Sequence, residues 1–205
     1  MTTPKVAVLV SHAGSNLRAL HAASRRPGAG FEIALVVSNN STSSGLAFAR
    51  DHGIAARHLS GRTHPVPEDL DEAMRTAFAE REVGLVVTAG FLRKLGPRTL
   101  QDFAGRVVNI HPSLLPRHGG HGMFGDAVHR AVLAAGDQVS GASVHHVTAE
   151  YDEGAVIARR EVPVLADDTV DSLAARVLAV EHDLLPAVVR QWAARTARSQ
   201  GHERS

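Results

Sequence analysis

Two polar side chains close an otherwise apolar run at Val107-Val108-Asn109-Ile110-His111-Pro112. Alternate residues of an extended strand share a face, so Asn109 and His111 project together, and Pro112 ends regular pairing. An amide beside an imidazole suits acyl transfer. The amide can donate to an oxygen that gains charge, and the imidazole can move a proton near neutral pH. A strand end with two polar residues tied to loops fits the same letters. A second segment, Ala149-Glu150-Tyr151-Asp152-Glu153-Gly154, offers a carboxylate that could orient a histidine and favour its charged form. A solvated acidic turn is the alternative there. A third segment, Ser11-His12-Ala13-Gly14-Ser15-Asn16-Leu17, carries a turn-forming Gly14 followed by Ser15 and Asn16, both good helix N-caps. Free backbone N–H groups at such a helix start suit a phosphate; an ordinary capped turn reads the same way. Its spacing is not GxGxxG, so no dinucleotide fingerprint is present.

These residues need a scaffold that gathers loop ends. Short β-branched runs alternate with helical periodicity along the chain. Val6–Val10, Phe31–Val37, Ala55–Leu59, Leu85–Ala89 and Arg106–Ile110 read as strands, and Ser15–Arg25, Ser44–His52, Pro67–Glu82 and Gly125–Ala135 as helices. Ala142–Val147 and Val156–Val164 read as later strands with no helix between them, hence a hairpin. Ser172–Arg195 reads as a long final helix. The alternation predicts an α/β fold: a mostly parallel twisted sheet with helices on both faces and antiparallel strands late in the chain. Ligands of such sheets bind beyond the carboxyl ends of the strands, where all three segments fall.

Composition narrows the chemistry. The 205 residues predict one domain, 1–195, with a polar, disordered tail at 196–205. Lys plus Arg is 22 and Asp plus Glu 21, a net charge of +1, which excludes bulk electrostatic binding to nucleic acid or anionic membrane. Cysteine is absent, which excludes disulfides, thiolate nucleophiles and cysteine metal sites. No run is long and apolar enough to span a membrane, and a cytoplasmic location is expected. The 13 histidines prompt a search for metal ligands. His145 and His146 are adjacent on a strand and point to opposite faces. His118 and His121, in Arg117-His118-Gly119-Gly120-His121-Gly122, have no HExxH or carboxylate spacing beside them, so no metal is expected.

Six motifs occur in order: SHAGSNL at 11–17, AGFLR at 89–93, NIHPSLLP at 109–116, SVHHV at 143–147, DEGAVI at 152–157 and EHDLLP at 181–186. Together, over residues 5–192, the chain resembles the phosphoribosylglycinamide formyltransferase family of folate-dependent enzymes. The resemblance implies a Rossmann-like formyltransferase fold. It implies transfer of a formyl group from the co-substrate 10-formyltetrahydrofolate to the amine of glycinamide ribonucleotide, in purine biosynthesis. It places Asn109, His111 and Asp152 on the catalytic trio, Gly14, Ser15 and Asn16 on the phosphate-binding turn, and Glu181 on a substrate-binding glutamate. Leu92, Arg93, Leu95, Val147, Thr148 and Tyr151 fall on the folate pocket. It implies small-molecule partners, no nucleic acid, no membrane, and a monomer or homodimer. His111 is expected as an imidazolium that stabilises the tetrahedral oxyanion and returns a proton to the leaving nitrogen, with Asp152 holding that charge.

Two departures from the family pattern stand out. The stretch from Arg117 to Ala135 is longer and Gly-rich, which suggests a lid with His118 or His121 on the nucleotide. A family arginine ahead of the third helix falls here on Pro67, with Arg62, His64 or Arg117 as substitutes for holding phosphate. Alternatives are another folate-dependent formyltransferase, a formyltetrahydrofolate hydrolase, or a folate- or nucleotide-binding protein without catalysis.

Overall fold

The computed structural model describes residues 3–202. Its elements in chain order are β1 (Lys5–Val10), α1 (Ser15–Ser24), β2 (Glu32–Ser38), α2 (Ser44–Asp51), β3 (Ala55–His58), α3 (Pro67–Ala79) and β4 (Leu85–Thr88). There follow α4 (Pro97–Asp102), β5 (Val107–His111), α5 (Asp126–Ala134), β6 (Val139–His146), β7 (Val156–Pro163) and α6 (Val170–His202). The strands form one seven-stranded sheet in the order β3-β2-β1-β4-β5-β6-β7. The first five strands in this order pair parallel. β5/β6 and β6/β7 pair antiparallel, as the missing helix between the last two strands predicts.

Each face of the sheet carries its own apolar layer, which is why the central strands are apolar throughout. Val6, Val8 and Val10 of β1 join Leu17 and Leu20 of α1, Leu46 of α2, Val132 of α5 and Leu173, Val177 and Leu185 of α6. Ala7 and Leu9 face the other way, onto Met74 and Phe78 of α3 and Phe103 just after α4. Helices therefore cover both faces.

Most element ends lie within three residues of the sequence expectation, and two larger differences stand out. α4 is new. Its six residues are too few to show a periodicity, and its N-terminus is capped from a distance. Asp71 of α3 accepts from Arg98 N at 2.9 Å, Thr99 N at 3.0 Å and Thr99 Oγ1 at 2.5 Å. α6 runs on to His202, so residues 196–202 are helical where a disordered tail was expected; residues 203–205 lie outside the described residues. Strong helix formers such as Arg195, Ala197 and Arg198 let the helix continue past its packed part.

Candidate active site

The carboxyl ends of β1, β4 and β5 open onto a cavity of about 700 Å³, closed by the loop after β6, the Gly-rich loop before α5, and α6. The catalytic, phosphate-turn, glutamate and folate-pocket residues expected from the family likeness all line it: Asn109, His111 and Asp152; Gly14, Ser15 and Asn16; Glu181; and Leu92, Arg93, Leu95, Val147, Thr148 and Tyr151. They come from five separate stretches of chain.

At the floor lie Asn109 and His111, on one face of β5 as their spacing requires. His111 is buried, and its Nε2 donates to His118 O at 2.9 Å. That leaves Nδ1 as the basic nitrogen, 3.5 Å from Asp152 Oδ2. Burial pushes the His111 pKa down; the Asp152 charge and the His118 carbonyl push it up, and burial prevails. The lowered pKa favours a neutral resting imidazole over the imidazolium expected from the sequence, with Asp152 placed to hold a proton arriving on Nδ1.

Asp152 meets two histidines. Its Oδ1 lies 3.4 Å from His145 Nε2, and its Oδ2 also accepts from Gly120 N at 2.9 Å. Burial works to raise the carboxyl pKa, but His145, His111 and the Gly120 N–H outweigh it and hold it below the usual carboxylate range. Asp152 adopts φ +58°, a left-handed conformation that aspartate tolerates better than most residues. Two residues on, a side chain on Gly154 would run into His146 O, so this turn after β6 demands glycine.

On the opposite wall Gly14, at φ +70°, serves as the N-cap of α1 with no side-chain cap bond. Ser15 and Asn16 are therefore helical residues and not the cap, a change from the sequence expectation. The uncapped first turn leaves its N–H groups open toward the cavity, as anion binding needs. Asn16 turns sideways, and its Nδ2 donates to Glu181 Oε2 at 2.7 Å. Glu181 is 6% exposed, and burial pushes its pKa up to about 7 against the pull of that bond.

The Gly-rich loop is more divided than expected. Arg117 and His118 both bind Asp137, His118 Nε2 at 2.7 Å, and neither lines the cavity. His118 thus supports His111 through its carbonyl and is corrected as a nucleotide contact. His121 does line the cavity and packs edge-on to Tyr151, with ring centroids 5.7 Å apart. Of the proposed substitutes for the absent arginine, Arg62 lines an adjoining cleft with Arg93 and Lys94, His64 contacts Thr63 Oγ1 at 3.0 Å, and Arg117 is engaged as above. Among the described residues no three His, Asp or Glu side chains are grouped as a metal site, and no helix is long and apolar enough to cross a membrane.

Thr88, His145 and His129 also line the cavity and were not among the site residues expected from the sequence. His145 was discounted for metal binding because it and His146 oppose each other. The same alternation turns it toward Asn109, its partner across β5/β6. Thr88 sits at the end of β4 opposite Asn109 in register, which no local pattern reveals. His129, on α5, is buried with Nδ1 unpartnered, and burial lowers its pKa.

The model of the formyl transferase family matches residues 4–189. The phosphoribosylglycinamide formyltransferase of Escherichia coli strain K12 is 39% identical over 189 residues, spanning 92% of this chain and 86% of that protein. A chloroplastic phosphoribosylglycinamide formyltransferase of Vigna unguiculata is 41% identical over 186 residues; the match covers 90% of this chain and 59% of the plant protein. The crystal structure of the phosphoribosylglycinamide formyltransferase from Brucella melitensis superposes with a TM-score of 0.87 at 37% identity, over 94% of this chain and 97% of that one. Sheet order, cavity position and sequence likeness agree, and the chain belongs to the formyl transferase family, on its phosphoribosylglycinamide formyltransferase branch.

Proposed function

We propose that this protein transfers a formyl group from 10-formyltetrahydrofolate to the amine of glycinamide ribonucleotide, as a step of purine synthesis. The observation that carries the proposal is the meeting, in one cavity, of the Asn109–His111–Asp152 cluster with the open N-terminus of α1 and the buried Glu181. The cavity suits both substrates. Leu92, Leu95 and Val147 offer apolar walls to a flat pterin beside the cluster, while the first turn of α1 offers N–H groups to a phosphate.

The residues then divide the chemistry. The substrate amine attacks the formyl carbon, and a C–N bond forms as charge gathers on the formyl oxygen. Asn109 Nδ2 donates to that oxygen. His111 Nδ1 takes the amine proton, directly or through one water, and Asp152 stabilises the resulting imidazolium. The same proton passes to the folate nitrogen as its bond to the formyl carbon breaks. No covalent bond to the protein is needed, in keeping with a chain that has no cysteine. Holding the two substrates in line supplies much of the remaining acceleration. The cytoplasmic setting and the choice of monomer or homodimer belong to the proposal on sequence grounds.

Single-turnover formyl transfer by wild type and His111→Ala tests it. Wild type should formylate glycinamide ribonucleotide, and the variant should retain folate binding with little transfer. A wild type that binds the folate yet transfers nothing to this acceptor rejects the assignment.

A further inference from the structure

Three polar residues lie side by side across three adjacent strands at the cavity floor. In the sheet register Thr88 of β4 stands opposite Asn109 of β5, and Asn109 stands opposite His145 of β6. Laterally paired residues point to the same face, so the three side chains form a row. Thr88 and His145 are both buried, and all three line the cavity.

The hydrogen bonds along the row have one consistent sense. His145 Nδ1 lies 2.8 Å from His146 O and must donate to it, because a carbonyl only accepts. In that neutral tautomer Nε2 is an acceptor, and it accepts a hydrogen bond from Asn109 Nδ2 at 3.1 Å. At the other end of the amide, Thr88 Oγ1 is 2.7 Å from Asn109 Oδ1 and 3.3 Å from Val108 O. The hydroxyl has one hydrogen, and the shorter contact takes it. Asn109 Nδ2 therefore keeps one hydrogen with no partner among the described residues.

An asparagine amide is nearly symmetric in shape, so packing alone does not choose which end is oxygen; hydrogen-bond partners do. Turned over, Asn109 would set Oδ1 against the lone pair of His145 Nε2. The titratable groups next to this row are Asp152, 3.4 Å from His145 Nε2, and His111, which shares Asp152. Asp152 also competes for His145, so the histidine by itself is a poor lock for the amide. Thr88 has no such competing charge.

We infer that Thr88 is a positioning residue for the transfer reaction: its hydroxyl, donating to Asn109 Oδ1, locks the amide in the orientation that turns a free Nδ2 hydrogen to the substrate oxyanion. This rests on the formyl-transfer reading and deepens it. Thr88 touches no reacting atom; it acts through Asn109. Because an amide in the wrong orientation offers an acceptor where a donor is needed, the effect falls on the transition state and spares ground-state binding.

The test compares Thr88→Val and Thr88→Ser with wild type, alone and on an Asn109→Ala background, in steady-state and single-turnover formyl transfer. Thr88→Val should lower kcat about ten- to thirtyfold with both KM values within about twofold, short of the loss from removing an oxyanion donor outright. Thr88→Ser, which keeps the hydroxyl, should restore most of kcat. On the Asn109→Ala background Thr88→Val should cost nothing further, since there is no amide to orient. An equal loss on both backgrounds, or a loss carried by KM, would mark a merely structural role and overturn the inference. Should Thr88→Val not fold, Thr88→Ala against Thr88→Ser carries the same comparison. A wild type that transfers no formyl group overturns the functional reading and this inference with it. An active wild type whose Thr88→Val variant keeps full kcat overturns this inference alone.

Discussion

Asn16 Nδ2 donates to Glu181 Oε2 across 2.7 Å, joining the first helix to the last inside the cavity wall. Among the described residues this neutral bond is the carboxyl's one partner, and no countercharge offsets its burial. A site that keeps such a carboxylate gives up stability for binding.

That trade has a pH signature. The folded pKa of Glu181 is raised from 4.5 to about 7, so the folded state holds this proton more tightly than the unfolded chain. Stability from the protonated form is present below pH 4.5 and lost as pH rises through 7. Glu181→Gln removes the loss. Thermal unfolding should show the variant more stable at pH 8, by up to about 3 kcal/mol, and level with wild type near pH 4.5. Its KM for the ribonucleotide should rise. Equal stabilities at pH 8 would mean that Glu181 carries no burial penalty.

Asp152→Asn removes the charge that opposes burial at His111. The His111 pKa should fall further, and the acidic limb of the pH–rate profile should move to lower pH. The plateau should drop about 10²-fold as the imidazolium loses its partner. A profile that does not move would take Asp152 out of proton transfer.

Asn109→Ala should separate chemistry from binding. We expect kcat to fall about 10²–10³-fold, as for other oxyanion donors, with folate affinity nearly unchanged. Comparable losses in affinity and turnover, measured by folate titration beside single-turnover rates, would contradict a transition-state role.

Gly14→Ala probes the anion site. Gly14 sits at φ +70°, and a Cβ there would come within 3.2 Å of Gly45 Cα. The substitution should cost about 1–2 kcal/mol in a denaturant titration and tilt the start of α1. KM for the ribonucleotide should rise more than KM for the folate. The opposite order would move the phosphate to another part of the cavity.

Much of this was open to reading before any coordinates. The apolar runs of β1, β2, β4 and β5 locate those strands, because burial on two faces leaves a plain signature. Asn109 and His111 were legible as a pair because a two-residue period puts them on one face whatever the neighbours do. The loop around Asp152 was legible from its acidity and glycine, and the family likeness placed it in the trio. α4 was not legible: its cap, Asp71, lies on another helix and 28 positions before Thr99. Thr88 was hidden among Leu85–Ala89 as one small residue ending an apolar strand, and His145 looked like half of a mismatched pair.

The sequence by itself determined the strand–helix alternation, the face that Asn109 and His111 share, and the residues that gather at the strand ends. Those follow from local periodicity and from the rule that parallel sheets bind at their carboxyl edge. Only the tertiary structure decided how the gathered groups stand toward one another. Burial outweighs Asp152 and lowers the His111 pKa, His118 turns to Asp137, and the register of three strands sets Thr88 and His145 on either side of Asn109. Protonation and amide orientation depend on distance, desolvation and partner sense, and none of these is written in the spacing of letters along a chain.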